Sequence, residues 1–172
     1  MAMDNNIIQE LKKDGINKGL CRLWQMKLKS GLDIEALSKL FIQGIDFCIS
    51  EDYPTIDYLR THFKGRCEPY GIYIDDTIQG LTNIPDIALN GSCKADLNYT
   101  GYSVSRIYIR HQSEANINVS GHAILTIDAF DNANIKLHAN GNSKILVYLY
   151  GKAKCINSGK RILIKKYNKK TY

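Results

Sequence analysis

The side chains that could carry chemistry are few and scattered. Four histidines, His62, His111, His122 and His138, could serve as ligands, but each stands alone in the sequence. His111 and His122 fall at the edges of short repeated segments, where exposed turns are expected, and His138 lies in an Asn-rich stretch. Asp75-Asp76, and Asp128 with Asp131, could hold a cation or divide acid and base roles, yet acids paired beside a strand more often build its turn. Five cysteines, at 21, 48, 67, 93 and 155, include no CxxC pair, so a closed zinc site is not expected. An odd number without close pairs fits reduced thiols in a reducing cytoplasm. No GxGxxG, P-loop, HExxH or GxSxG motif is present. The expectation is a chain without turnover, cofactor or metal. The sequons Asn90-Gly-Ser, Asn98-Tyr-Thr and Asn118-Val-Ser arise by chance in a chain this rich in Asn.

Charge is the stronger signal. The net +6 is unevenly placed: residues 1–68 hold 10 Lys/Arg and 10 Asp/Glu, whereas residues 69–172 hold 13 and 7. Residues 144–172 carry nine basic side chains and no acidic one: Lys144, Lys152, Lys154, Lys160, Arg161, Lys165, Lys166, Lys169 and Lys170. Tyr148, Tyr150, Tyr167 and Tyr172 are interleaved with them. Such a cluster suits a polyanion or an acidic protein surface; the plainer role is a solvated tail that keeps the protein soluble. No apolar run approaches the roughly 18 residues of a membrane span, and the first residues lack the basic-then-apolar order of a secretory signal. A cytoplasmic location without membrane contact is expected.

Two kinds of element must position these residues. Over the first sixty-odd residues, apolar positions recur at three- and four-residue steps. Ile7, Ile8 and Leu11 belong to one helix, and Ile16, Leu20, Leu23, Trp24 and Leu28 to a second, with Gly15 and Gly19 weakening the junction. Asp33 can cap a third helix with Ala36–Ile49 as its body. Pro54 fits the first turn of a short helix through Tyr58, Leu59 and Phe63. Near residue 66 the period changes. Gly71–Ile74 and Ile84–Leu89 read as lead-in strands. Small residues then fall at Ala95, Ser105, Ala115, Ala123, Ala133, Ser143 and Ala153, at spacings of 10, 10, 8, 10, 10 and 10. Apolar residues follow two and four positions later, such as Leu97 and Tyr99, or Ile117 and Val119. A period of two inside a period of ten means a strand, a turn and the next strand, with stacked coils burying the apolar side. The expected fold is α+β: a helical N-terminal region over residues 1–66, packed on a small β-solenoid of about seven rungs over residues 67–172. The repeat fails at Asn157, and Arg161-Ile-Leu-Ile-Lys can add a last capping strand.

Two rungs per coil sort the outward residues into two faces. One carries Asp96, Asn98, Asn116, Asn118, Asn134, Lys136, His138 and Lys154, and its Asn side chains can stack in ladders. The other carries Arg106, Tyr108, Arg110, Ile124, Thr126, Asp128, Leu146 and Tyr148. It either packs on the helices or meets another chain. With the nine basic residues, Arg106, Tyr108, Arg110 and Tyr148 complete the set expected to touch a partner or nucleic acid.

The repeats Ala-Asn-Ile-Asn-Val-Ser-Gly (115–121) and Ala-Asn-Ile-Lys-Leu-His-Ala-Asn-Gly (133–141) resemble the GIN domain, an adhesin-head β-solenoid of Bacteroidetes. The longer string from Gly44-Ile-Asp-Phe-Cys through Gly101-Tyr-Ser-Val-Ser-Arg-Ile-Tyr and Asp128-Ala-Phe-Asp-Asn-Ala to Leu149-Tyr-Gly-Lys-Ala-Lys-Cys is similar to small proteins of Bacteroidetes phages and prophages. Neither resemblance maps a catalytic residue, and the missing secretion signal counts against an adhesin. Arg106, Arg110 and Asp128 also resemble the clusters with which large β-helix enzymes grip acidic polysaccharides, but this stack is short and lacks the loops that make a cleft. Three readings stay open. The basic end and the thiols favour a phage-encoded protein that binds a host protein or ribonucleoprotein complex, with RNA as a candidate ligand and inhibition of an RNA-guided nuclease (an anti-CRISPR role) as its specific form. A virion decoration module is the second, and a carbohydrate- or small-ligand-binding module is the third.

Overall fold

The computed structural model describes residues 3–172. They divide into a helical unit that ends at Tyr70 and a strand unit that runs from Gly71 to Thr171.

The helical unit holds α1 (Asn5–Asn17), α2 (Arg22–Lys27), α3 (Ile34–Gln43), α4 (Ile45–Ser50) and α5 (Ile56–His62). Asp33 caps α3 as expected, accepting from the Ala36 N–H at 2.9 Å, which satisfies one of the donors a helix start leaves open. Three expectations shift. Helix α1 runs through Gly15, and the chain breaks at Gly19, whose φ is +91°. Gly15 is small because Tyr53 lies against it: a Cβ there would meet the Tyr53 hydroxyl at 3.1 Å, and that hydroxyl donates to the Leu11 carbonyl at 2.8 Å. The third helix is two, split at Gly44, where the Trp24 ring would lie 3.3 Å from an added Cβ. Pro54 precedes the helix; Thr55 is the cap of α5, and its hydroxyl accepts from the Tyr58 N–H.

The strand unit is a β-solenoid of about five turns. Odd-numbered strands stack in one sheet: β1 (Ile72–Ile74), β3 (Asp86–Asn90), β5 (Val104–Ile109), β7 (Ile124–Ala129), β9 (Lys144–Leu149) and β11 (Ile162–Lys166). Even-numbered strands stack in the other: β2 (Thr77–Thr82), β4 (Lys94–Tyr99), β6 (Glu114–Val119), β8 (Asn134–Ala139) and β10 (Lys154–Gly159). All pairings are parallel, and through the middle each residue pairs with the one twenty later, as in Leu97↔Ile117↔Leu137 and Ile107↔Ile127↔Val147. Every inward position therefore becomes a ladder of like side chains along the axis. Ile87, Leu97, Ile107 and Ile127 are fully buried there, each contributing about 1.5–3 kcal/mol of transfer free energy. Strand β2 carries no expectation from the sequence, because its bulge at Gln79-Gly80 breaks the alternation between Ile78 and Leu81.

The eight-residue step in the repeat disappears. The small residues at the coil corners are Cys93, Ser103, Ser113, Ala123, Ala133, Ser143 and Ala153, an unbroken series of ten. Ala95, Ser105 and Ala115 sit two positions further on, as the first inward residues of β4, β5 and β6. The step of eight comes from joining one series to the other.

Each corner holds one residue in the left-handed region: Gly101, Gly121 and Gly141 on one side, Gly91, His111, Asp131 and Gly151 on the other. On the first side, Gly121 and Gly141 stay glycine because backbone stacks on backbone: a Cβ on Gly121 would lie 2.9 Å from the Gly101 nitrogen, whereas one on Gly101 would meet nothing. The second accepts side chains that bond the coil before. The Gly91 N–H donates to His111 Nδ1 at 3.0 Å, and the His111 N–H donates to Asp131 Oδ2 at 2.9 Å.

Candidate functional site

Most of the residues suited to chemistry serve the solenoid. Asp75 Oδ1 accepts from the Ser92 N–H and Asp76 Oδ2 from the Ile74 N–H, so with Asp131 they are turn builders. His138 is engaged on both ring nitrogens, by Ser158 Oγ at 2.6 Å and Asn140 Nδ2 at 3.2 Å. His122 stacks on Tyr102 with centroids 4.8 Å apart, and His62 lies 4.4 Å from the Tyr58 ring. Among the described residues, no group of three or more His, Cys, Asp or Glu converges as metal ligands would, and no helix is long and apolar enough to cross a membrane. Burial pushes the Cys155 thiol up to about 11, the opposite of an activated nucleophile.

The Asn-rich face is as the alternation predicts. Asn116 Nδ2 donates to Asp96 Oδ1 at 2.8 Å, and Asn118 Nδ2 to Asn98 Oδ1 at 3.3 Å. A shallow groove of about 520 Å³ crosses this face, bordered by Lys94, Asp96, Glu114, Lys136 and Lys154. Its charges are mixed, three basic and two acidic, so it offers no single field to a charged ligand.

The other face divides the residues expected to meet a partner. Tyr108 and Arg110 are 5% and 3% exposed, and present no surface; an outward position in the strand alternation does not guarantee an accessible one. Arg106 is exposed, but its Nε is 2.7 Å from Asp86 Oδ1. Tyr148 remains half-exposed.

The nine basic residues are all exposed, and they are not a tail. Lys144 begins β9, Lys154 begins β10, and Lys165 and Lys166 end β11. Lys152 lies in the corner after β9, while Lys160 and Arg161 form the turn into β11. Beyond β11 the chain is still held: Tyr167 N–H donates to the Leu149 carbonyl at 2.8 Å and Gly151 N–H to the Lys169 carbonyl at 3.0 Å. The basic side chains thus ring the last coil on a fixed frame.

Aromatic rings occupy the same end. Phe130, Tyr150 and Tyr167 stack in a ladder, with centroids 4.9 and 5.0 Å apart. Tyr148 lies 6.2 Å from Tyr167. The Lys165 ammonium is 5.7 Å from the Tyr148 centroid, and that of Lys169 is 5.8 Å from the Tyr167 centroid, within cation–π range. Interleaving of Lys and Tyr hinted at this cluster. The ladder itself was hidden, because Phe130 precedes the basic segment and joins it only through the twenty-residue coil.

Charge segregates along the axis. From Gly71 to Asp131 the solenoid carries three basic residues against seven acidic, a net of −4; from residue 132 onward it carries ten against none. Strands stack in chain order, so this is a polarity in space. Strands β10 and β11 also end their sheets, each paired on one side only.

The architecture defines the class: a two-sheet parallel β-solenoid preceded by a helical unit. No family model, curated protein or solved structure matches the chain.

Proposed function

We propose that this chain is a non-enzymatic binding module that grips a polyanionic partner, a nucleic acid or the nucleic-acid part of a ribonucleoprotein, with the basic end of its solenoid. The observation that carries this reading is the axial segregation of charge, +10 on the last coils against −4 on the first. A rigid end of one sign concentrates field toward a partner and raises its encounter rate. Solubility alone would be served by charge spread over both ends.

The similarity to small phage and prophage proteins directs the reading to a cytoplasmic host complex, and inhibition of an RNA-guided nuclease is its most specific form. The test is a variant with Lys165, Lys166, Lys169 and Lys170 all changed to Glu. These side chains are exposed, so the fold should stand, with an unchanged circular dichroism spectrum and melting transition. Binding to a labelled RNA, and any inhibition of guided cleavage, should be lost. A folded variant that binds and inhibits at full strength removes the basic end from the account.

A second reading has its own observation. Lys154, Lys160, Lys165 and Lys166 flank the open edges of β10 and β11, and charges placed so keep edge strands from pairing between molecules. On that reading the same variant gains no defect in binding, because none exists, and the wild type ignores RNA at low salt.

A further inference from the structure

We infer that the ligand of the basic end is single-stranded nucleic acid, with bases stacked on Tyr148 and Tyr167 and phosphates held by the lysines around them. The inference rests on the polyanion reading above and narrows it.

A polyanion site needs only cations, so aromatic rings among them require a separate explanation. Tyr150, at 6% exposure, has one in the ladder with Phe130. Tyr167 caps that ladder and Tyr148 lies 6.2 Å from the Tyr167 ring, but neither ring is closed off as Tyr150 is. Both are partly exposed on the outward side of β9 and the segment after β11, beside the partly open Leu146 and the exposed Leu163. Register places Leu146 beside Leu163 and Tyr148 beside Lys165. Lys144 and Lys165 are exposed on this same face, with Lys169 close to the rings. The result is a half-open aromatic and aliphatic platform with ammonium groups at its margins.

That arrangement matches how single strands are held: every base offers a π-face to an aromatic ring, and cations follow the backbone without reading sequence. A duplex keeps its bases stacked on each other and can use only the cations. An acidic peptide also uses the cations and gains nothing specific from the rings. Single strands should therefore bind more tightly than either.

The experiment measures fluorescence anisotropy with labelled fifteen-nucleotide oligo(rU) and oligo(dT), a duplex of equal length, and heparin and oligo-glutamate as competitors. Tyr148→Ala and Tyr167→Ala should each weaken single-strand binding about tenfold while leaving duplex binding within a factor of two. Tyr148→Phe and Tyr167→Phe should keep the affinity, since the ring and not the hydroxyl makes the contact. Tyr102→Ala is the control: that ring is 82% exposed and stacked on His122, but outside the lysine ring, and its loss should change nothing. Melting curves separate a lost contact from a loosened last coil: an Ala variant that melts as the wild type has lost only the contact. Equal affinity for oligo(rU) and oligo(dT) makes the site general; a preference for either assigns the strand type. If duplex binds as well as single strands and the Ala variants are silent, stacking is overturned and the polyanion reading stands. If oligo-glutamate competes as well as oligo(rU), the partner is an acidic protein surface and the inference fails. If nothing binds at low salt, both readings fall.

Discussion

Early and late coils of the solenoid share one interior and differ in almost everything outside it. Leu97 and Leu137 occupy the same inward position two coils apart, as do Ile107 and Val147. Outside, the early coils bear Asp75, Asp76, Asp86, Asp96 and Glu114, and the late coils bear lysine. The early acids are largely employed: Asp75 and Asp76 bond backbone N–H groups, Asp86 pairs with Arg106, and Asp96 accepts from Asn116. The basic side chains of the last coil face solvent. Interior ladders thus make the fold and leave the outward positions open to selection. Charge that no turn or ladder requires is the part of this molecule most in need of a partner.

Substitution in the interior should cost most. Ile117 is 1% exposed, with Leu97 and Leu137 in register on either side. Ile117→Asp would bury a charge without compensation and should cost more than about 4 kcal/mol, enough to unfold the solenoid. Cys155 holds an inward position in the last coil but is only partly buried, so Cys155→Asp should cost about 1–2 kcal/mol. Chemical denaturation followed by circular dichroism measures both. A soluble Ile117→Asp protein that melts cooperatively would show that the inward ladder is misplaced.

An intermediate effect sharpens the role of the corners. Gly121 and Gly101 both have positive φ, which costs a non-glycine residue about 1 kcal/mol. Only Gly121 also stacks against backbone on the side a Cβ would occupy. Gly121→Ala should therefore destabilise by about 2–3 kcal/mol and Gly101→Ala by about 1 kcal/mol. Equal losses would mean that strain, not close approach, keeps these corners glycine.

The smallest effect is one of reactivity. With its thiol pushed up to about 11 by burial, Cys155 holds little thiolate at pH 8, and the thiolate is what reacts. Exposed Cys21 should be alkylated well before it. Labelling of Cys155 should speed up as pH rises toward 11, because each unit then yields about tenfold more thiolate. Peptide mapping after timed iodoacetamide treatment reads the order. Cys155 labelled first at pH 8 would place it in a more open coil end than the one described.

Much of this was legible in the sequence, for a definite reason. A solenoid repeats one local pattern, so alternation within rungs and turns between them expose the fold without long-range information. The Asn ladder and the last strand at Ile162–Lys166 follow directly. What stayed hidden depends on neighbours distant in the chain. Gly15 reads as a helix breaker until Tyr53 is seen against it. Tyr108 and Arg110 read as surface by alternation, yet are buried. Ala95 and Ala123 look equivalent by size, although one begins an inward ladder and the other turns a corner. Lysines read as a tail become a ring once β9, β10 and β11 are closed into a coil.

The role proposed for the basic end of the solenoid is to bind phosphates. Phosphate contacts release counterions, so the logarithm of the affinity falls linearly with the logarithm of salt concentration, by about 0.7 per contact for a single strand. That slope is read from oligo(rU) binding titrated between about 50 and about 200 mM salt. A slope of about −3 is expected, from roughly four phosphates held among the exposed lysines, falling toward zero when Lys165, Lys166, Lys169 and Lys170 are changed to Glu. A wild-type slope near zero, or one that the variant leaves unchanged, would contradict it.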